Sequence, residues 1–200
     1  MRLSMKHPRK EPNFLIFITD QHRADHLGCY GNNIVQTPNI DNLAQKGTKF
    51  EKFYVSCPIC MPNRATFMTG RMPSLHGVRQ NGISLSFEEV TFTHLMREAG
   101  YRTALVGKSH LQGMSATEVK FGLPRKDPKK IQPSFALSEA KRQRWLDESY
   151  QQELKPTWKN DLNFEPKTPF YGFDHLSLAI GHADRVWGHY SQWLAKRHPD

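Results

Sequence analysis

Five consecutive apolar residues, Phe14-Leu15-Ile16-Phe17-Ile18, follow Asn13 and give way to the polar segment Thr19-Asp20-Gln21-His22. An apolar run of that length without alternation reads as a strand covered on both faces, the environment of a parallel strand in an α/β sheet. A second unit of the same kind lies downstream. Thr93 to Ala99 has helical spacing, Gly100 is placed to end the helix, and Arg102 to Val106 reads as the next strand. Helix, glycine and strand in that order make one unit of an α/β fold. An Asp just past the C-terminal end of a buried strand stands where such folds gather ligand-binding groups, which makes Asp20 a candidate. The alternative for Asp20 is a cap on a short helix over Arg23 to Leu27.

The chemistry concentrates in Cys60-Met-Pro62-Asn-Arg64-Ala-Thr-Phe-Met-Thr69-Gly70-Arg71. Pro62 suits the first turn of a helix, where a missing N–H costs nothing, and Gly70 suits the position after its last residue. Cys60 then sits just before a helix N-terminus, where unpaired N–H groups and the helix dipole favour an anion. Arg64, one turn on, shares its face. Cys57-Pro-Ile-Cys60 is also a C-x-x-C, open to a redox pair or half a zinc site. A zinc site needs further ligands at recognisable spacing, and the third cysteine, Cys29, has no partner motif.

The run C-x-P-x-R followed by Thr69-Gly70-Arg71 resembles the signature of the sulfatase family. That resemblance implies that Cys60 is oxidised to formylglycine by a sulfatase-modifying enzyme that reads Pro62 and Arg64. It implies an alkaline-phosphatase-like α/β fold, with a mixed, mostly parallel sheet flanked by helices. In sulfatases the first strand ends in an Asp pair that binds a divalent cation. Asp20 matches the first of the pair and Gln21 replaces the second, a neutral ligand where a charged one is usual. The implied metal set is Asp20, Gln21 and modified Cys60, and the implied ion Ca²⁺, or alternatively Mn²⁺. Asp followed by Gln also resembles the related phosphonate monoester hydrolases and choline sulfatases.

Gly107-Lys108-Ser109-His110-Leu111 resembles the family's Gly-Lys-x-His-Leu element. The resemblance makes Lys108 and His110 catalytic groups aimed at a bound sulfate. On an extended chain residues two apart face the same side; a solvated lysine and a surface histidine are the alternative. Thr37-Pro38 to Gly47 reads as a packing helix with Ile40, Leu43 and Ala44 on one face, and Gly28-Cys29-Tyr30-Gly31 as a turn. The activity implied is hydrolysis of a sulfate monoester, with phosphonate or phosphate esters as the rival substrate.

A net charge of +9 invites a nucleic-acid reading, but its placement argues against one. Residues 1–11 hold four cations against one acid and residues 120–144 eight against two, which accounts for the whole excess. The expectation is neither a nucleic-acid nor a membrane partner. No apolar stretch precedes Phe14 in a secretory pattern and the cysteine count is odd, so a cytoplasmic location is expected. A hydrophobic content of 38% supports one sizeable core. The domain is placed over 13–200, with 1–12 as a basic tail and 115–170 as a loop-rich insertion bordering the active-site face or a solvated loop. Arg142 to Gln152 is a candidate short helix, Leu176 to Ile180 a strand, and Asp184 to Arg197 a helix with Val186, Tyr190, Trp193 and Leu194 on its apolar face. His182 is placed in a capping region or substrate pocket rather than on a metal. The family's later metal-binding Asp-Asn or Asp-His pair has no match here, so the chain is expected to be the N-terminal part of a longer catalytic domain, inactive alone or a non-catalytic remnant.

Overall fold

The computed structural model describes residues 11–114, 148–182 and 185–199. The chain divides into two compact units, Met1–Phe53 and Tyr54–Asp200. In the first, residues 14–18 form no strand, and their side chains stand 52–82% exposed. The expected buried strand fails because the N–H and C=O groups of a strand need a neighbouring strand, and none among the described residues pairs with this run. The 3-10 turn Ala24–His26 starts at Arg23 with no side-chain cap, so Asp20 does not cap it.

Helix α1, Pro38–Lys46, begins at a proline as its sequence requires and closes with Gly47 N–H on Leu43 O. Its apolar face is not a packing face, since Ile40 and Leu43 are 40% and 67% exposed. What holds the unit is polar. Thr37 Oγ1 accepts from Gly28 N–H (2.8 Å) and donates to Asp41 Oδ1 (3.0 Å), which also accepts from Cys29 N–H at 2.6 Å. Thr37 is thereby diverted from capping the helix to tying it to the Gly28–Tyr30 turn.

The second unit carries the core. Its sheet has the order β1 (Ala104–Gly107), β2 (His175–Ile180), β3 (Trp187–Gly188). β1 and β2 are parallel, with Ala104 opposite His175, and β2 and β3 antiparallel, with Ile180 opposite Trp187. The sheet is mixed as expected, with one pair of each kind among the described residues. β2 alternates, so that Leu176, Leu178 and Ile180 point inward. Against them pack Met61, Ala65 and Met68 of α2 (Cys60–Thr69), with Leu85, Leu111, Trp158, Phe170 and Tyr171. Complete burial of Trp158 and Phe170 is worth about 2–3 kcal/mol each.

α3 (Pro73–His76) and α4 (Phe92–Glu98) lead to β1. α4 ends before Gly100, whose positive φ of 89° turns the chain as the sequence indicates. β1 is less covered than a central strand, with Val106 79% exposed.

Within the described part of the 115–170 insertion, residues 148–170 supply core as well as surface: Glu153, Trp158 and Phe170 are fully buried, whereas residues 159–163 and 167–169 are exposed. Residues 115–147 lie outside the described residues, and with them 142–147 of the short helix expected over 142–152; its remaining residues hold a 3-10 turn, Glu148–Gln151, followed by α5, Lys155–Asn160. The last helix, α6, runs His189–Arg197, because Trp187-Gly188 is taken by β3. Tyr190, Trp193 and Leu194 are 40–50% exposed, whereas Gln192 is buried and donates to Phe164 O at 2.8 Å.

Candidate active site

α2 is built as its sequence implies. Gly70, with φ 66°, caps its C-terminus through N–H to Thr66 O, and Met61, Pro62, Ala65 and Met68 form the buried face. Cys60 opens the helix, and Arg64 follows one turn later; both are half-buried. In the first turn Pro62 has no N–H, and Met61 N–H donates to Asn81 Oδ1 at 3.1 Å. Asn81 was not foreseen in a chemical role, although Asn-Gly marks a turn. Cys29, Cys57 and Cys60 are free thiols.

Arg64 reaches out of α2 to the segment after β1, its Nη1 donating to Lys108 O at 2.6 Å. That single bond brings together two residues far apart in sequence. Lys108 Nζ in turn donates to His182 Nε2 at 2.8 Å, and the rings of His110 and His182 lie 6.5 Å apart, edge to face. His182 therefore belongs to the Lys108 and His110 neighbourhood, in line with a pocket role.

Lys108 and His110 do not share a side of an extended strand. β1 ends at Gly107, and His110 has φ 55°, in the left-handed region, so two-residue alternation is broken. Lys108 is half-buried and His110 is 1% exposed. The turn is stabilised by Glu153, whose carboxylate accepts from the N–H groups of His110 (2.7 Å), Leu111 (2.9 Å) and Gln112 (2.8 Å). Burial pushes the Glu153 carboxyl up to about 7, against the pull of these three N–H groups and of Arg64. No sequence signal marks Glu153: it follows two glutamines in a segment without periodicity.

Asp20 and Gln21 belong to the first unit, both exposed, with Gln21 at φ 49°. Among the described residues no group of three or more His, Cys, Asp or Glu side chains is placed to hold a metal ion. Asp20 and Gln21 thus make up no cation site by themselves, and no chemical step is derived through one. Among the described residues no helix is long and apolar enough to cross a membrane.

A mixed α/β sheet with a cysteine-bearing helix tied through Arg64 to a Lys-His loop defines the class of site, and the sequence comparison gives the family. The sulfatase family model matches residues 12–177, and the chain belongs to the sulfatase family. It is 37% identical over 106 residues to the N-acetylglucosamine-6-O-sulfatase of Bacteroides thetaiotaomicron, covering 53% of this chain and 19% of that protein. It is 40% identical over 120 residues to the steryl-sulfatase of Homo sapiens, covering 54% and 20%. The solved phosphonate monoester hydrolase of Agrobacterium radiobacter matches 89% of this chain and 27% of its own, with 25% identity and a TM-score of 0.53. The chain spans about a fifth of the length of the sulfatases it matches.

Proposed function

We propose that this chain carries the nucleophile and anion-binding groups of a sulfate monoester hydrolase. The observation that supports the reading is the bond from Arg64, one turn after Cys60 on α2, to the Lys108 carbonyl, because it draws the signature helix and the Lys-His loop to one place. Converted to formylglycine, residue 60 supplies a hydrated aldehyde that attacks sulfur and releases sulfate by re-forming the carbonyl. Around it, Arg64 and Lys108 carry positive charge for the developing sulfuryl oxygens. His182 holds the Lys108 ammonium, and His110 is assigned the proton transfer. Asp20 and Gln21 are proposed as part of the ligand set of a divalent cation, Ca²⁺ or alternatively Mn²⁺. A formylglycine-generating enzyme is the implied partner; Pro62 is buried in the fold, so its reading of the motif would precede folding.

The named relatives act on a sugar and a sterol, so the shared chemistry is the sulfate ester and not its organic part. A second reading, phosphonate monoester hydrolysis, is favoured by Gln21 after Asp20 together with the likeness to the Agrobacterium enzyme. The test is co-expression of the full-length protein with the modifying enzyme. Peptide mass spectrometry across residues 53–71 is expected to find Cys60 lighter by about 18 Da, with 4-nitrophenyl sulfate hydrolysed faster than 4-nitrophenyl phenylphosphonate. Turnover with Cys60 unmodified would sink the mechanism, and the reverse substrate order would favour the second reading.

A further inference from the structure

Three consecutive backbone N–H groups, those of His110, Leu111 and Gln112, point at one internal carboxylate rather than at solvent. Such a concave run of amides is an anion-binding nest. In this protein the nest is filled by Glu153, a fully buried residue 41 or more positions away in sequence. The elements around it are themselves fixed. Gln112 Nε2 donates to Ser149 O at 3.1 Å, Gln152 N–H donates to Gln112 Oε1 at 2.9 Å, and Trp158 Nε1 donates to Gln152 O at 2.8 Å. From the opposite side Arg64 holds the Lys108 carbonyl. The five residues Lys108 to Gln112 are therefore clamped at one end by a cation from α2 and at the other by an anion from the turn before α5.

Resting on the sulfatase reading of this site, we infer that Glu153 is a positioning residue: its carboxylate fills the His110–Gln112 nest and thereby fixes the directions in which Lys108 and His110 present their side chains. A buried carboxylate that forms no direct ion pair among the described residues is an unfavourable way to secure a loop for stability alone, since an uncharged acceptor avoids the cost of burying charge. A fully charged acceptor is justified where three adjacent amides must be held in one orientation, with His110 in the left-handed conformation. The filled nest has a second consequence. Those amides are not available to an anionic substrate, so recognition of the sulfate falls to the side chains of Arg64, Lys108 and His110. The charged or titratable groups facing Glu153 are Arg64 from α2, Tyr171 from the turn before β2, and His110 itself.

The experiment compares the full-length protein with its Glu153→Gln and Glu153→Asp variants, each prepared with the modifying enzyme. Two measurements are made: amide hydrogen exchange at residues 110–112, and steady-state hydrolysis of 4-nitrophenyl sulfate. Gln keeps the shape but turns an N–H donor towards amides that need an acceptor, and Asp keeps the charge but withdraws it by one bond. Exchange at 110–112 is expected to quicken by about tenfold or more in the Gln variant, as expected for losing a charge-assisted bond. Its kcat is expected to fall about ten- to a hundredfold with KM changed by less than about threefold, since misplaced groups fail the transition state more than they fail binding. The Asp variant should fall between. Unchanged exchange, or a wild-type kcat in either folded variant, overturns the inference. Absence of sulfate turnover in the wild type overturns the functional reading instead, and the exchange measurement still decides for or against Glu153.

Discussion

Burying an ionised Glu153 has a thermodynamic signature that can be read without any substrate. Its carboxyl is raised from 4.5 to about 7 in the folded chain, chiefly by burial. Between those values the native state holds a proton that the unfolded state has released. Stability therefore falls as pH rises through this window, the opposite of the behaviour of a salt-bridged surface acid. The shift corresponds to about 3 kcal/mol, reached once pH exceeds the folded value. The prediction is that the unfolding free energy of the wild type, measured against that of Glu153→Gln by urea titration from pH 4.5 to 8, declines by about that amount. The difference isolates Glu153, because the other titrating groups are common to both proteins. Arg64→Ala adds an internal check. Removing the cation raises the Glu153 carboxyl further, so the decline should extend to higher pH. A wild-type minus Gln difference that is flat, or that rises with pH, would refute the account of a buried carboxylate held at an energetic cost.

Gly172 has φ 86°, and a Cβ there would lie 2.6 Å from His94 N and 2.7 Å from Thr93 Oγ1. Gly172→Ala is expected to lower stability by about 3 kcal/mol, from left-handed strain plus overpacking, and a loss under about 1 kcal/mol in denaturant unfolding would contradict that geometry. For the cation, isothermal titration of the full-length protein with CaCl₂ should show binding abolished by Asp20→Ala and tightened by about tenfold in Gln21→Asp, which adds a charged ligand. Weaker binding in Gln21→Asp would remove Gln21 from the ligand set.

The local features of the second unit were legible because local rules decide them. The α2 boundaries follow from Pro62 and Gly70, and α4 and β1 follow from the glycine between them, each a conformational demand that one residue satisfies. Phe14 to Ile18 shows where such reasoning stops. Its composition suits a buried strand, but a strand exists only with a partner, and pairing is a property of the whole sheet. The last helix failed for a related reason. Trp187-Gly188 has value to the sheet as a partner for Ala179-Ile180, and that non-local pairing displaced the helix start to His189. Apolar spacing in Tyr190, Trp193 and Leu194 then misled about the inward face, because Gln192 is the residue with a buried backbone acceptor to meet.

The site divides along the same line. Cys60 and Arg64 were recoverable because their relation is one helical turn, and Lys108 and His110 because they stand together in sequence. Their orientation was not recoverable. It depends on Glu153, whose bonds to residues 110–112 span 41 to 43 positions, and on the left-handed turn at His110 that those bonds support. A residue of this kind leaves no periodic trace, since its environment comes from elements distant in the chain. The loop-rich insertion contributes, in its described part, both core through Trp158 and the carboxylate that fills the nest. On the proposed reading, in which the reacting residue is made by modification of Cys60, this arrangement has a physical merit. The groups that must be aligned with residue 60 are fixed by Arg64 and Glu153, neither of which depends on the state of that side chain.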